Sequence, residues 1–433
     1  MTARTLPTLL VVLVTAPGAH AAECADEGPG HPEWVFCHDF EAADAASFDT
    51  YWDDVYGVPD RVFIIDESPP GIGGGHAMRT QAVNDGDTAL VDGVTSGPKK
   101  FFGAVVDWDA LYYRKYVRFG ADFQQGNFMH LGGLSACVAS LYPWGCMGGA
   151  GQRPAGDQQF SSNLEPWSDY QTLPWPGRWG FYSYYHLMYM DCNQPGPDDC
   201  YGDMFAPATD FFIGRGEWHV LEMVIEPNTP GQANGSQTFW ADGVRVYTSP
   251  PIDWRTSAAV RLNEAGIYLY IHNVPAHTTD ILDFDNVVFS RQYIGPAPCL
   301  EGVALGAPCR CGGVADPDDA ANVHAVGYCC AGAWRSGPCI GGDGGVTTDG
   351  GADLDGGSGG DGAAASDAPT SGDGTTGGAA PAGGAGSLAG GCGCRTAPAT
   401  RAPALAVATL LLALLGRRRP AELTGYASDP RDP

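Results

Sequence analysis

The residues best suited to chemistry are tyrosines, histidines and arginines that recur at every second position of three strand-like stretches. These residues are Tyr182, Tyr184 and His186 in FYSYYHLMYM, Arg114, Tyr116 and Arg118 in YYRKYVRF, and Tyr268, Tyr270 and His272 in GIYLYIHN. Alternate side chains of a β-strand point to opposite faces, so each stretch would present one polar row. Phenols and imidazoles transfer protons, and guanidinium groups bind carboxylates. Three such rows on one sheet predict a sugar-binding groove.

Each of these residues also has a purely structural interpretation. Tyr182 and Tyr184 would then form an aromatic ladder on a sheet face. Arg114 and Arg118 would be solvated or ion-paired surface charges, and the histidines would be packed and hydrogen-bonded. The shared parity on three separate stretches favours the groove.

The elements that must position these residues are strands. Between residues 22 and 296, short apolar or alternating runs are separated by clusters of Gly, Pro, Asn and Asp, and no long segment keeps a 3.6-residue apolar period. This pattern predicts an all-β domain, a β-jelly roll or sandwich. The predicted strands are VFCHDF, RVFIID, AMRTQAV, LYYRKYVRF, RWGFYSYYHLMYM, WHVLEMVIE, QTFWADGVRVY, GIYLYIH and LDFDNVVFSRQYI.

The ends of the chain indicate export and further modules. Residues 1–21 combine Arg4, an apolar run and Ala19-His20-Ala21, which together predict a secretory signal peptide. After the main domain (22–296) we expect a six-cysteine module (297–340) and a disordered Gly/Ala/Asp-rich linker (341–391). A Cys motif, an apolar segment and an arginine cluster follow in 392–419, and a tail occupies 420–433.

In an exported protein, the 14 cysteines are expected to form disulfides. In the main domain they form three close pairs, which are Cys24/Cys37, Cys137/Cys146 and Cys192/Cys200. Six cysteines in 297–340 would staple a unit too small to bury much core. No spacing typical of a zinc site occurs among them.

The formal charge of −27 argues against a nucleic-acid partner, because phosphates would be repelled. It would also repel an acidic polysaccharide at long range. Five cations, however, fall within twenty positions of the sequence, and screening limits the remote repulsion. They are Lys99, Lys100, Arg114, Lys115 and Arg118. A local basic patch could therefore decide binding.

The segment 392–419 resembles the MYXO-CTERM sorting signal of myxobacterial surface proteins. It contains Cys392 and Cys394, the apolar run APALAVATLLLALLG and three arginines, Arg417 to Arg419. As a helix, the apolar run would cover roughly 22 Å, short of the ~30 Å of a bilayer core. The resemblance implies processing near the two cysteines and attachment to the outer surface of the cell. The tail after the arginines departs from that pattern.

The main domain resembles alginate lyase-like polysaccharide lyases of family 14 and the neighbouring glucuronan lyases. The resemblance covers roughly Tyr112–Pro296 and rests on five phrases. They are YYRKYVRF, HLGGL at 130–134, YSYYH, GEWHVLEMVIEPNTPGQANGSQTFWADG and DFDNVVFSRQYIGP. The resemblance implies a β-jelly roll and cleavage of uronic-acid polysaccharides by β-elimination, without a required cofactor.

The resemblance also implies roles for individual residues. The Tyr-x-Tyr pair of the family matches Tyr182 and Tyr184, which would act as acid and base. His130 stands where the family has a catalytic lysine and would serve as an auxiliary base or cation. Arg114 and Arg118 would clamp the substrate carboxylate. The other groove residues would be Tyr116, His186, Tyr268, Tyr270 and His272.

Other functions remain as alternatives. A glycoside hydrolase needs two carboxyl groups about 5–9.5 Å apart, whereas Glu222 and Glu226 would lie about 13 Å apart along a strand. Calcium could be held by Asp283, Asp285 and Asn286, although turn and sheet-edge hydrogen bonds are the simpler explanation. The second candidate function is a non-catalytic, lectin-like adhesion or matrix protein. In either case we expect a monomer at the cell surface or outside the cell.

Overall fold

The computed structural model describes residues 23–26, 31–41, 46–86, 90–91, 94–124, 129–147, 152–167, 176–188, 201–271 and 274–339. They all belong to the first of two compact units, Met1–Thr347. The predicted signal peptide, linker, sorting segment and tail lie outside the described residues, as do Cys192, Cys200 and His272. Within the described residues, no helix is long and apolar enough to cross a membrane.

The described residues are almost entirely β-structure, with one 3-10 turn (Glu23–Asp26) and one short helix, α1 (Ala46–Tyr51). The strands are β1 (Trp34–His38), β2 (Asp54–Tyr56), β3 (Val62–Ile65), β4 (Ala77–Asn84), β5 (Leu90–Val91), β6 (Val94–Phe101), β7 (Leu111–Phe119), β8 (Met129–His130), β9 (Gly133–Cys137), β10 (Gln159–Trp167), β11 (Arg178–Tyr184), β12 (Asp203–Phe205), β13 (Trp218–Glu226), β14 (Ser236–Ala241), β15 (Val244–Thr248), β16 (Arg261–Gly266), β17 (Leu269–Ile271), β18 (Val274–Pro275), β19 (Thr278–Ser290), β20 (Ala304–Leu305), β21 (Cys309–Arg310), β22 (Val323–His324), β23 (Gly327–Cys330) and β24 (Ala333–Arg335).

Two large sheets form the main domain. Sheet A has the order β15-β14-β13-β7-β19-β4-β3, with β1 also paired to β19. Sheet B has the order β12-β11-β10-β9-β16-β6-β17-β8, with β2 also paired to β6. All pairings within both sheets are antiparallel, and the strand order departs repeatedly from chain order. The predicted all-β jelly-roll sandwich is thereby confirmed.

The core lies between the two sheets and follows from the alternation within each strand. In β7, Leu111, Tyr113, Val117 and Phe119 point into the core, while the residues of opposite parity point outward. The hairpin from β14 to β15 turns on Asp242-Gly243, both with positive φ (50° and 75°), as a two-residue turn between twisted strands requires.

The six-cysteine segment packs on the outward face of sheet A. Its three disulfides join Cys299 to Cys309, Cys311 to Cys329 and Cys330 to Cys339. Leu305 and Ala307 form a small apolar cluster with Trp218 and Val220 of β13. In the main domain, the predicted pairs Cys24–Cys37 and Cys137–Cys146 are both bonded.

Candidate active site

The face of sheet B that points away from the core collects two predicted site residues on β11. Tyr182 lies opposite Asn163 of β10, and Tyr184 lies opposite Ser161. The preceding residue, Phe181, has the opposite parity and points into the core. The strand period therefore places both phenols on the outward face, as the sequence predicted.

His130 joins them from the neighbouring part of the sheet. It lies directly opposite Tyr270 in the pairing of β8 with β17. Its ring is stacked between two phenol rings, with centroid distances of 5.4 Å to Tyr182 and 5.6 Å to Tyr270. Gly132, two residues after His130, has φ +73°, and a Cβ there would lie 2.1 Å from the carbonyl oxygen of Gly266. Glycine at this point of the HLGGL phrase therefore lets the histidine segment lie against the tyrosine segment.

Glu165 fixes the orientation of His130. Its carboxylate oxygens lie 3.0 and 3.1 Å from His130 Nδ1, and its side chain is almost completely buried. Burial lowers the pKa of His130, but the charge and the hydrogen bond of Glu165 outweigh it, so that the pKa is raised above its usual value. A carboxylate accepts only, so Nδ1 carries a proton and Nε2 is the nitrogen that exchanges one.

The two phenols of β11 are coupled to each other. Their oxygens are 3.0 Å apart, and the Gly202 N–H donates to Tyr182 Oη at 3.2 Å. Either phenol can be the donor in this contact. Burial and the neighbouring Tyr184 raise the pKa of Tyr182; burial raises the pKa of Tyr184 against the effect of this hydrogen bond. Both phenols are protonated at neutral pH.

Tyr268 lies beside these residues, in the segment between β16 and β17. It is buried, and burial together with the charges of Glu165 and Glu264 raises its pKa against a hydrogen bond with Asn163. Glu264 is itself buried and pairs with Lys99, whose Nζ lies 3.3 Å from Glu264 Oε1. We call Tyr182, Tyr184, His130, Glu165 and Tyr270 the tyrosine–histidine site.

His186 does not continue the row of Tyr182 and Tyr184. β11 ends at Tyr184, and His186 lies in the following turn. Its Nε2 is 3.5 Å from Asp253 Oδ1, without a hydrogen bond, and its ring packs against the backbone of Gly156. The alternation that predicted His186 as a groove residue stops where the strand stops. His272 lies outside the described residues.

Arg114, Tyr116 and Arg118 lie on the other sheet, and the prediction that they bind substrate beside the tyrosine pair is wrong. β7 belongs to sheet A, and its outward face is covered by the N-terminal segment and the six-cysteine segment. Arg114 is completely buried and forms a bidentate ion pair with Glu23. Its carboxylate-binding capacity is already taken, so it cannot clamp a substrate.

The other two members of the row are equally committed. Tyr116 Oη donates to the Pro308 carbonyl at 2.7 Å and accepts from the Ala297 N–H at 3.0 Å. Arg118 pairs with Asp283 at 2.7 Å and with Glu67 at 2.6 Å. Parity within a strand predicted the face of each side chain but could not assign the strand to a sheet.

The predicted basic patch is also wrong, because the five cations point in three directions. Arg114 and Arg118 lie on the outward face of sheet A, and Lys115 points into the sandwich. Lys99 pairs with Glu264, and Lys100 pairs with Asp53 at 3.2 Å. Within the described residues, each of these cations has an internal partner.

The calcium alternative gains no support from the geometry. Asp283 accepts hydrogen bonds from Arg79 and Arg118, and Asp285 accepts one from the Asn286 N–H. No group of three or more His, Cys, Asp or Glu side chains in the described part of the chain is placed to hold a metal ion.

Sequence reasoning missed Glu165 and Lys115. Glu165 lies in QFSSNLEPW, which was not predicted as a strand because its outward face is polar. Lys115 lies inside a predicted strand but was treated only as part of a surface patch. Its Nζ is buried and donates to the Leu131 carbonyl, next to His130, at 3.1 Å. Burial, partly offset by Glu165, lowers the pKa of Lys115 to about 7. Parity with Tyr113 and Val117 was the available signal that this lysine faces the core.

Among solved structures, this chain is similar to several polysaccharide lyases. They include a family 14 alginate lyase from Aplysia kurodai (17% identity, TM-score 0.44, 61% of this chain and 99% of that one), an alginate lyase from Chlorella virus (13%, 0.40, 60% and 100%) and an endo-β-1,4-glucuronan lyase from the fungus Trichoderma reesei (14%, 0.38, 59% and 95%). No family model matches the chain, and no curated protein matches it. At these identities and TM-scores, the likenesses do not identify the substrate or reaction of this chain.

Proposed function

We propose that this protein is a polysaccharide lyase that cleaves a uronic-acid polysaccharide by β-elimination, and that it is exported and attached to the cell surface. The observation that carries the proposal is the tyrosine–histidine site. A carboxylate-supported imidazole and two coupled phenols lie within one another's reach on the outward face of sheet B. The predicted export signal and C-terminal sorting signal support the location.

The elimination needs a base for the C5 proton and an acid for the leaving oxygen. His130 is suited to the first task, because Glu165 stabilises the imidazolium that forms when Nε2 takes the proton. Glu165 raises the pKa of His130 and thereby strengthens the imidazole as a base. The C4–C5 double bond then forms as the C4–O bond breaks.

Tyr184 is suited to the second task. It is protonated at neutral pH, and the phenolate left after proton transfer would be stabilised by the hydrogen bond donated by Tyr182. Tyr182 is thus a positioning residue that also stacks on His130. Where the resemblance predicts a catalytic lysine, this chain has the imidazole of His130, supported by the carboxylate of Glu165.

The C5 proton becomes acidic only when the C6 carboxylate is held by donors. Near the tyrosine–histidine site, the described residues offer the Lys99 ammonium, which is balanced by Glu264, and the amide of Asn163. This is a weaker anion site than a pair of arginines. We therefore expect a polymer with spaced carboxylates to bind through its whole length rather than through one tightly held group.

Incubation of the protein with alginate, glucuronan and related polyuronates, followed by ultraviolet absorbance, tests the proposal. New unsaturated chain ends are the expected product. The pH profile tests the roles, since activity should rise as pH passes the pKa of His130, where Nε2 loses its proton. If His130 acted instead as the cation for the carboxylate, activity would fall over the same interval. No unsaturated ends from any polyuronate would refute the lyase.

The second candidate is a carbohydrate-binding protein without turnover. A histidine at the position where the resemblance predicts lysine, and two phenols with raised pKa values, favour it. The two functions differ in one measurement. A binder retains affinity for the polysaccharide but releases no unsaturated ends, so that Tyr184→Phe has no turnover to abolish.

A further inference from the structure

An exposed tryptophan stands at the far end of the same face of sheet B. Trp144 is 66% exposed, an unusual exposure for the largest apolar side chain. It belongs to the loop that follows β9 and is closed by the Cys137–Cys146 disulfide, which we call the disulfide loop (138–147). Tryptophan is enriched at binding interfaces, because its ring is apolar while its N–H can still form a hydrogen bond.

The disulfide loop holds Trp144 against the sheet. The Trp144 ring meets the Phe101 ring edge-on, with centroids 5.1 Å apart, and Tyr142 packs on the same Phe101 at 5.9 Å. Tyr142 Oη accepts the Gly103 N–H at 2.9 Å. Trp144 is therefore held in place by Phe101 while most of its side chain remains exposed to solvent.

The loop is continuous with the tyrosine–histidine site. Met147 Sδ lies 3.4 Å from Lys99 Nζ and 4.0 Å from Tyr268 Oη. Lys99 and Tyr268 in turn contact Glu264 and Asn163 on the same face. These contacts connect the disulfide loop, which carries Trp144, with the tyrosine–histidine site.

A row of paired positions connects the two ends directly. Successive partners across β11, β10, β9, β16 and β6 are Tyr184, Ser161, Ser135, Glu264 and Phe101. Four strand spacings make this distance roughly 19 Å along the sheet. That length accommodates several sugar rings of one polysaccharide chain.

We propose that Trp144, supported by Phe101 and Tyr142, is a remote subsite that stacks on a sugar ring of the polysaccharide whose cleaved bond lies at Tyr184. This inference rests on the proposed function and extends it. The apolar C–H face of a pyranose packs on an indole, while its hydroxyls stay in water. The subsite supplies binding that the weak carboxylate site lacks, and it selects long chains over short ones.

Affinity for trisaccharides and octasaccharides of the polyuronate tests the subsite, measured calorimetrically in a Tyr184→Phe background so that nothing is consumed. We expect Trp144→Ala to weaken octasaccharide binding by about tenfold, the effect of one aromatic contact, and to leave the trisaccharide unchanged. The matched control is Trp334→Ala, which removes a 41% exposed indole from the six-cysteine segment and should change neither.

An equal loss for both lengths, an unchanged octasaccharide affinity, or the same loss in Trp334→Ala would overturn the subsite. A parent protein that binds neither oligosaccharide overturns the subsite together with the proposed function. The lyase function fails and the subsite stands if the protein with Tyr184 intact yields no unsaturated ends while Trp144→Ala still lowers the affinity for the octasaccharide alone. In that case the face binds polysaccharide without cleaving it.

Discussion

The two outward faces of the sandwich carry the same kinds of residue and use them in opposite ways. On sheet A, Arg114 and Tyr116 are covered, and each forms hydrogen bonds with another part of the chain. On sheet B, Tyr182 and His130 stack on each other and remain partly exposed, while Tyr184 is buried beside Met188. Residue type and parity alone therefore do not define a site. A site is a face whose polar groups are held by each other and not buried under another segment.

The largest effect that we expect is the loss of turnover when a residue of the sheet B face is replaced. Tyr184→Phe removes the proton donor and should lower the rate by about 10²- to 10⁴-fold, the usual contribution of one acid–base group. The free energy of unfolding should fall by only about 1 kcal/mol, because the change removes the hydroxyl's hydrogen bonding to Tyr182 and Gly202 and leaves the ring in place. The rate is read from unsaturated ends and the stability from urea unfolding. Wild-type turnover in Tyr184→Phe would remove this phenol from the mechanism.

The sheet A face should show the reverse behaviour. Arg114→Ala leaves the Glu23 carboxylate without its partner and the carbonyls of Gly295 and Asn286 without a donor. Breaking one side of a buried ion pair costs about 3–5 kcal/mol in the free energy of unfolding. Arg178→Ala is the matched control, since its pair with Asp210 is exposed and contributes at most about 1 kcal/mol. Equal losses in the two variants would contradict the contrast between the faces.

The sequence predicted sheet A far better than sheet B. LYYRKYVRF and WHVLEMVIE match β7 and β13 residue for residue, because both are rich in the aromatic and β-branched residues that favour strands. Of sheet B, the strands β6, β9, β10 and β16 were not predicted. Their sequences contain Gly, Pro, Ser and Asn, such as VTSGPKKF in β6, which are typical of loops.

This difference has a physical cause. A strand that lines a site needs polar residues on one face and close backbone approach at glycines such as Gly132, and both weaken the strand pattern. The Tyr-x-Tyr pair and His130 were still identified, because the resemblance pointed to them. Glu165 was not, since a single carboxylate in an unpredicted strand has no pattern. Which polar rows lie on the same sheet depends on long-range strand pairing, and no local sequence pattern encodes that pairing.

Lys115 lies between the two faces and gives a prediction on the pH dependence of stability. Its pKa is lowered to about 7 by burial, so above pH 7 the folded chain has released a proton that the unfolded chain keeps. The free energy of unfolding should therefore rise with pH from 7 towards 9, by up to about 1.4 kcal/mol per unit from this residue. Lys115→Met should abolish this part of the slope and stabilise the protein at pH 7.

Urea unfolding at pH 7, 8 and 9 measures the slope. Lys100→Met is the control, because Lys100 reaches Asp53 and the Tyr51 carbonyl at the edge of the protein and should leave the slope in place. A slope that survives in Lys115→Met would show that this ammonium is not the group that titrates in the core.

The smallest change in the free energy of unfolding is expected at the exposed edge of the outward face of sheet A. Arg118 makes two contacts, one to the buried Asp283 and one to the exposed Glu67. Glu67→Gln keeps the side-chain length and removes only the exposed charge, so the free energy of unfolding should fall by at most about 1 kcal/mol. Asp283→Asn should cost more, because Arg79 and Arg118 then share a neutral partner inside the sheet. Unfolding at low and high salt separates the two, since only the Glu67 contribution is screened. If both substitutions proved equally mild, the outward face of sheet A would be less tightly held than its contacts indicate, and the contrast with sheet B would be one of degree.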